Sequence, residues 1–283
     1  MFQESQSLIK AALAEDLGSG DITSEAFIPE DSQSHARIIT RKKAVAAGLF
    51  VAQEVFRQVD PKLQITLQAR EGDVLEAGAS LLEINGATRS LLSAERVALN
   101  FLGRLMGIAT LTRSYVNAVA GTGVTILDTR KMTPGWRLLE KEAVKLGGGK
   151  NHRMGLFDAI LVKDNHLASL GSEQKTILSK KIHELRKKNS SLKIEIEADT
   201  LEQVAFFLTI KEVNALLLDN MSLEEMQQAV ALKNQIAPEV RLEASGGITL
   251  ENIRNVAETG VDEISLGALT HSAMWADLSL EIK

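Results

Sequence analysis

The sequence predicts an α/β protein in two parts. An α+β segment spans residues 1 to about 107, and a parallel α/β sheet closed into an incomplete barrel follows it. Three observations predict this. Beyond residue 120, apolar strand-like runs alternate with helical runs, which is the rhythm of a parallel sheet. Each of those strands ends in a charged, hydroxyl or glycine residue. The first hundred residues lack the alternation and carry short β-like runs between turn residues instead.

Composition bounds the reading. The chain has 283 residues, with 45% hydrophobic and 24% charged content, as in globular proteins. No apolar run is long enough to cross a bilayer, and the acidic, amphipathic N-terminus is unlike a signal peptide. There is no cysteine, which removes disulfide and thiolate chemistry and makes a cytoplasmic location the expectation. Aromatics are 4% and net charge is -5, which argues against a nucleic-acid surface.

Residues 5–17 read as an amphipathic helix with Leu8, Ile9, Ala12 and Leu13 on one side, ended by Gly18 to Asp21. β-like runs follow at 35–40, 44–48, 63–69 and 80–85, with a helix at 50–58. The stretch EGDVLEAGASLLEING resembles the hairpin of a small β-sandwich or biotinyl-type module, but no lysine stands at its tip to carry a prosthetic group. From 89 to 119 the apolar spacing is helical, with a break expected near Gly107. Arg96, beside Glu95, reads from spacing alone as an exposed helix charge.

The strands beyond 120 are expected at 124–127, 158–162, 192–196, 214–218, 240–244 and 262–266. Helices are expected near 136–146, 172–189, 200–210, 222–235, 249–259 and 271–276. The strand ends carry Asp128-Thr129-Arg130-Lys131, Lys163, Glu197, Asp219, Ser245-Gly246-Gly247 and Gly267. A barrel gathers these positions around one mouth, where an open sheet would use only those at its switch point. Six strands fall short of eight, so the barrel is incomplete or one strand escapes the pattern.

The stretch 128–156 concentrates Arg130, Lys131, Arg137, Lys141, Lys145, Lys150, His152 and Arg153 in an otherwise acidic chain. A solvated helix face accounts for Lys141 and Lys145, four apart. It does not account for Thr129-Arg130-Lys131 after a strand, or for His152-Arg153 after three glycines. Arginines on such loops can grip carboxylate or phosphate in a fork, so this is read as a small-polyanion site. Ser245-Gly246-Gly247, before a helix with Thr249 as expected N-cap, and Gly267 after the next strand suit phosphate. Glu197 and Asp219 end neighbouring strands and could hold Mg²⁺, directly or through water, or form an acid–base pair, or pair with cations. Metal is the favoured reading. Glu195 faces the same way as Glu197. Lys163 could form a Schiff base or pair with an anion. His166 is read as a packing or hydrogen-bonding residue. His271 is balanced between reaching a phosphate and capping the last helix.

These residues also carry a resemblance. EDLGSGDIT (15–23), AERVALNFLGRLMGIAT (94–110), DTRKMTPGWR (128–137), KEAVKLGGGKNHRMGLFDAILVKDNH (141–166), EIEADTLEQV (195–204), LLLDN (216–220), EASGGIT (243–249) and ISLGALTHS (264–272) stand in order along nearly the whole chain. The sequence resembles the quinolinate phosphoribosyltransferase family, the decarboxylating nicotinate-nucleotide pyrophosphorylases. Met132 stands where that family usually has threonine, and Trp136 where it often has leucine.

The resemblance implies an N-terminal α/β sandwich over 1–107 and an incomplete α/β (TIM-like) barrel over 108–271, with the tail 272–283 returning to the first domain. It implies phosphoribosyl transfer from 5-phosphoribosyl 1-diphosphate to quinolinate, with decarboxylation, in NAD biosynthesis. Quinolinate would be gripped by Thr129, Arg130, His152, Arg153 and Lys163, with Lys131 close to both substrates. Arg96 would enter from the neighbouring subunit of a homodimer or multiple of dimers. Glu197 and Asp219 match residues near the ribose and its Mg²⁺. Ser245, Gly246, Gly247, Gly267 and His271 match phosphate-binding loops. Two other readings are weighed: a phosphate-binding barrel lyase or aldolase using Lys163, and a paralogue that binds another substrate or none, such as the molybdenum-transport-associated members. The intact set of site residues argues against the paralogue.

Overall fold

A computed structural model describes residues 2–171 and 174–282. The chain runs α1 (Phe2–Leu17), α2 (Ile22–Phe27), β1 (Gln33–Thr40), β2 (Ala44–Val45), α3 (Leu49–Val59), β3 (Gln64–Leu67), β4 (Val74–Leu75), β5 (Ser80–Ala87) and α4 (Thr88–Ala118). It continues β6 (Thr125–Leu127), α5 (Arg137–Leu146), β7 (Ile160–Val162), α6 (Asp164–Ala168), α7 (Gln174–Lys188), β8 (Ile194–Ala198) and α8 (Leu201–Phe207). It ends β9 (Ala215–Asp219), α9 (Leu223–Ile236), β10 (Arg241–Ser245), α10 (Ile253–Glu258), β11 (Glu263–Ser265), α11 (Ala268–His271) and β12 (Leu278–Ile282).

These elements form two compact units. One holds residues 1–113, 132–148 and 268–283, and the other holds 114–131 and 149–267. In the first, an antiparallel sheet has the order β12-β1-β5-β3, and β2 pairs with β4. The tail strand β12 lies along β1 from Ala36↔Ile282 to Thr40↔Leu278. The hairpin expected over 71–86 does not form. β5 has β1 on one edge and β3 on the other, so neither edge is left for β4. The expected break in α4 is also absent, and one helix of 31 residues runs through. Gly107 serves close approach instead, because a Cβ there would lie 2.0 Å from the Met274 carbonyl oxygen. α5 follows β6 in the chain, yet its contacts place it in this unit. Lys141, expected on a solvated face, is 1% exposed. Lys145 fits the solvated reading and pairs with Glu142.

The second unit is built on a six-stranded sheet in the order β6-β11-β10-β9-β8-β7, every pairing parallel. Its strands coincide with the six expected apolar runs to within two residues, and helices α6 to α10 flank them. No seventh strand appears in the sheet among the described residues, and β6 and β7 do not pair, so the barrel is incomplete. Most buried strand residues are apolar, Ile194, Ile196, Leu216, Leu218, Leu242 and Ile264 among them, with Glu195, Glu197 and Glu243 as buried exceptions. That is the composition of parallel strands covered on both faces. The expected helix 172–189 is seen as α7 from Gln174, and residues 172 and 173 lie outside the described residues. The last expected helix, 271–276, is displaced: α11 ends at His271. Among the described residues, no helix is long and apolar enough to cross a membrane.

Candidate active site

In the second unit the chemistry-bearing residues stand at the carboxyl ends of the parallel strands. Asp128 follows β6 and is fully buried. It accepts hydrogen bonds from Asn151 Nδ2 at 2.7 Å and from the His152 amide at 2.8 Å. The Lys150 amide donates to the Ile126 carbonyl at 2.8 Å, and the Asp128 amide to the Lys150 carbonyl at 3.2 Å. Two basic loops distant in sequence are thereby tied together. Thr129 Oγ1 accepts from the Lys131 amide at 3.1 Å and tightens the turn that carries Arg130 and Lys131.

Arg153 comes from the second loop. Its Nη1 donates to the Ala159 carbonyl at 3.2 Å, and Asp158 closes the loop by accepting from the amides of Met154 and Gly155. Burial, then the positive charge of Arg130, hold the Arg153 guanidinium below its usual pKa. The Nε of Arg130 is buried without a hydrogen-bond partner. Two guanidinium groups repel each other here, and an arriving dianion would relieve that repulsion.

His152 is engaged at both nitrogens. Nε2 lies 2.9 Å from Glu195 and 3.4 Å from Glu243, and Nδ1 accepts from the Arg153 amide at 2.8 Å. Burial opposes charging the ring, while hydrogen bonds to Glu195 and then Glu243 favour it. The Arg153 amide pulls the other way, since a proton on Nδ1 would point at the amide proton. The geometry therefore describes the ring with its proton on Nε2, and a second proton requires the amide to turn away. Glu243, almost wholly buried, is pushed above the usual carboxylate range by burial.

Lys163 follows β7, and its Nζ is 2.9 Å from Glu197 Oε2. His166 Nδ1 accepts the Lys163 amide at 2.9 Å, a structural role that agrees with the expectation for it. Glu197 and Asp219 sit on adjacent strands, and with exposed Asp199 their oxygens lie within 4.8 Å of one another. Three hard oxygen ligands in such a cluster fit Mg²⁺, which takes one or two carboxylates and completes its shell with water or phosphate.

Asp219 Oδ2 accepts from Asn220 Nδ2 at 2.8 Å, and the Asn220 amide donates to the Ser245 carbonyl at 2.9 Å. The glycine loop thus adjoins the carboxylates. Gly246 has φ +92°, and a Cβ on it would meet Asn220 Oδ1 at 2.1 Å. Gly247, at φ +61°, faces open space. One expectation is corrected here. Thr249 caps no helix, because α10 begins only at Ile253; the Thr249 amide instead donates to Asn252 Oδ1 at 2.8 Å. Asn252 Nδ2 in turn donates to the Gly247 carbonyl at 3.1 Å and fixes the loop. Gly267 follows Leu266, whose amide donates to the Leu127 carbonyl, next to the first basic loop.

Arg96 and His271 belong to the other unit. The Arg96 side chain is 63% exposed, with Glu95 at 3.7 Å. His271 Nδ1 shares a hydrogen bond with Ser272 Oγ at 2.7 Å. Sequence reading gave no role to Arg104 and Glu140 in this unit. Buried Glu140 accepts from Arg104 Nε and Nη2 and from the amide and hydroxyl of Thr133, while Arg104 Nη2 also reaches the Thr270 carbonyl. This network fixes Thr133, two residues beyond Lys131, and Thr270, next to His271. The roles of Asp128 and Glu243 were also missed by sequence reading, although both residues stand inside the motifs that carry the resemblance.

Comparison with known proteins shows the family and the fold. The family description "Quinolinate phosphoribosyl transferase, N-terminal domain" matches residues 21–106, and the corresponding C-terminal domain matches residues 108–281. A probable nicotinate-nucleotide pyrophosphorylase [carboxylating] of Synechocystis sp. is 42% identical over 271 residues, covering 95% of this chain and 90% of the relative. The nicotinate-nucleotide pyrophosphorylase [carboxylating] of Mycobacterium leprae is 40% identical, covering 99% of this chain and 98% of the relative. Among solved structures, the nicotinate-nucleotide pyrophosphorylase of Francisella tularensis superposes with a TM-score of 0.92 at 38% identity, covering 99% of this chain and 96% of that one.

Proposed function

The chain belongs to the quinolinate phosphoribosyltransferase family, and from that premise we propose how its own residues divide the work. The reaction transfers the phosphoribosyl group of 5-phosphoribosyl 1-diphosphate to the ring nitrogen of quinolinate. Loss of CO₂ then leaves nicotinate mononucleotide and pyrophosphate, a step of NAD synthesis.

Arg130 and Arg153, with Thr129, Lys163 and His152, form the quinolinate half. Their charge orients a dianion that water would otherwise hold. Lys131 serves both substrates. Ser245, Gly246, Gly247 and Gly267 take the phosphates of 5-phosphoribosyl 1-diphosphate. Glu197 and Asp219 stand by the ribose and would hold Mg²⁺, directly or through water. When bound, that ion would supply positive charge for the departing pyrophosphate.

Bond breaking at the ribose C1 builds positive charge on the sugar, which the two carboxylates stabilise. The pyridine nitrogen attacks with its own lone pair, so no general base is needed. Once alkylated, the cationic ring accepts the electron pair that CO₂ leaves behind, and the ring carbon then takes a proton. Lys163 Nζ is held by Glu197 at 2.9 Å, a contact that would have to break before the amine could attack a carbonyl, which speaks against a lyase.

The same proposal has Arg96 completing the site of a second copy in a homodimer or multiple of dimers. Its exposed side chain, held only loosely by Glu95, supports this. It also places the protein in the cytoplasm, on the absence of cysteine.

The observation that carries the reading is the pair of neighbouring, half-buried arginines, Arg130 and Arg153, together with a carboxylate cluster at the strand ends of the same sheet. The test is a coupled assay with Mg²⁺, quinolinate and 5-phosphoribosyl 1-diphosphate. Matched release of CO₂ and nicotinate mononucleotide is expected. Silence with quinolinate, together with turnover of another anionic ring, would overturn the substrate assignment.

A further inference from the structure

Beneath the mouth lies a group that the reaction does not use. Glu195 on β8 and Glu243 on β10 flank β9 and stand two residues before Glu197 and Ser245. Strand alternation turns Glu195 to the side of Glu197 and Glu243 to the side of Ser245, one layer deeper. Glu195 is 8% exposed and Glu243 1%. Burying two carboxylates in a mostly apolar sheet is costly unless they are paired. What they share is the His152 Nε2, and one oxygen of each remains without a partner.

A metal site would account for the cluster, since His152, Glu195 and Glu243 offer ligand atoms within 4.8 Å of one another. The histidine argues against it. A metal would need the lone pair of Nε2, with the proton moved to Nδ1, and Nδ1 already accepts the Arg153 amide. The proton belongs on Nε2, directed to the carboxylates.

We propose that Glu243 and Glu195 are positioning residues for the quinolinate half. They clamp the His152 ring by its Nε2–H, the ring's Nδ1 holds the Arg153 amide, and the Arg153 guanidinium is thereby kept beside Arg130. Glu195 also acts on Arg153 as an opposite charge, which offsets part of the repulsion between the two arginines. The carboxylates thus act through the histidine and the arginine without touching substrate. The idea rests on the quinolinate reading for its kinetic arm only, because the ring tautomer can be read in the protein without substrate.

Two measurements test it. The first is steady-state kinetics of Glu243→Leu and Glu243→Gln. Leu removes one of the two acceptors and leaves Glu195 to hold Nε2 alone, and the KM for quinolinate should rise about 10-fold, while that for 5-phosphoribosyl 1-diphosphate stays within about threefold. Gln keeps an acceptor oxygen and should recover most of the quinolinate KM. Equal rises in both KM values in a folded Leu variant would overturn the proposal. The second is ¹⁵N NMR of histidine-labelled wild-type protein near neutral pH, with His152→Asn used to assign the signal. It stands even if the Leu variant fails to fold. A proton on Nε2 and a bare Nδ1 are expected. Protonation at Nδ1, alone or together with Nε2, would overturn the clamp. A wild-type protein silent with quinolinate but carrying the expected tautomer would fault the substrate assignment and leave the clamp standing.

Discussion

Gly246 has no room for a side chain. A methyl group there would press on Asn220 Oδ1 at 2.1 Å, on a backbone at φ +92° that other residues avoid. Gly246→Ala should therefore cost about 1–3 kcal/mol in stability. It should raise the KM for 5-phosphoribosyl 1-diphosphate more than that for quinolinate. Denaturant melts and substrate-varied kinetics read the two effects. This glycine pair was legible in the sequence because adjacent glycines directly after an apolar strand mark a backbone that must turn tightly or stay bare. The buried carboxylates were harder to read. Asp128, Glu140 and Glu243 look in sequence like any acidic residue beside lysines and arginines. Only the fold shows that each is enclosed and collects donors from distant segments. Lys141 failed the sequence reading for the same reason, since four-residue spacing to Lys145 suggested a wet face that packing covers.

At the scale of elements, the parallel strands were legible because each is a short apolar run that stops at a functional residue. The same burial that makes the run apolar makes the polar residue at its end conspicuous. β4, α2 and α6 are short and lack such an apolar run, so they carry too little pattern to be seen. Gly107 was misread as a helix break because composition does not distinguish a breaker from a close contact. α4 holds the network that anchors the loop beyond Lys131. Arg104→Ala would strand the buried Glu140 carboxylate without its guanidinium partner. A loss of about 3–5 kcal/mol is expected. Urea unfolding checks it, and a change under about 1 kcal/mol would show that Thr133 satisfies Glu140 alone.

At the scale of the whole molecule, the division into two units was only partly legible. α5 lies between two barrel segments in sequence yet joins the first unit, and no local pattern encodes that. The return of the tail came from the resemblance, and its pairing with β1 gives it a place. Assembly can be tested by mixing two variants, Arg96→Ala and Arg153→Ala, at a quinolinate concentration too low for either alone to turn over. If Arg96 serves a second copy's site, mixed dimers hold one intact site, and activity should return to about a quarter of the wild-type level. No recovery after subunit exchange would place Arg96 in its own chain's site or outside any site.

The central claim is that the basic loops of the second unit hold quinolinate, while the carboxylates and glycine loops hold 5-phosphoribosyl 1-diphosphate. Titrating each substrate separately into Arg153→Ala and wild type by calorimetry tests it most directly. Loss of a charge-assisted fork should weaken quinolinate about 10- to 100-fold and leave the phosphoribosyl donor within about threefold. Equal weakening of both substrates would contradict the division of the site.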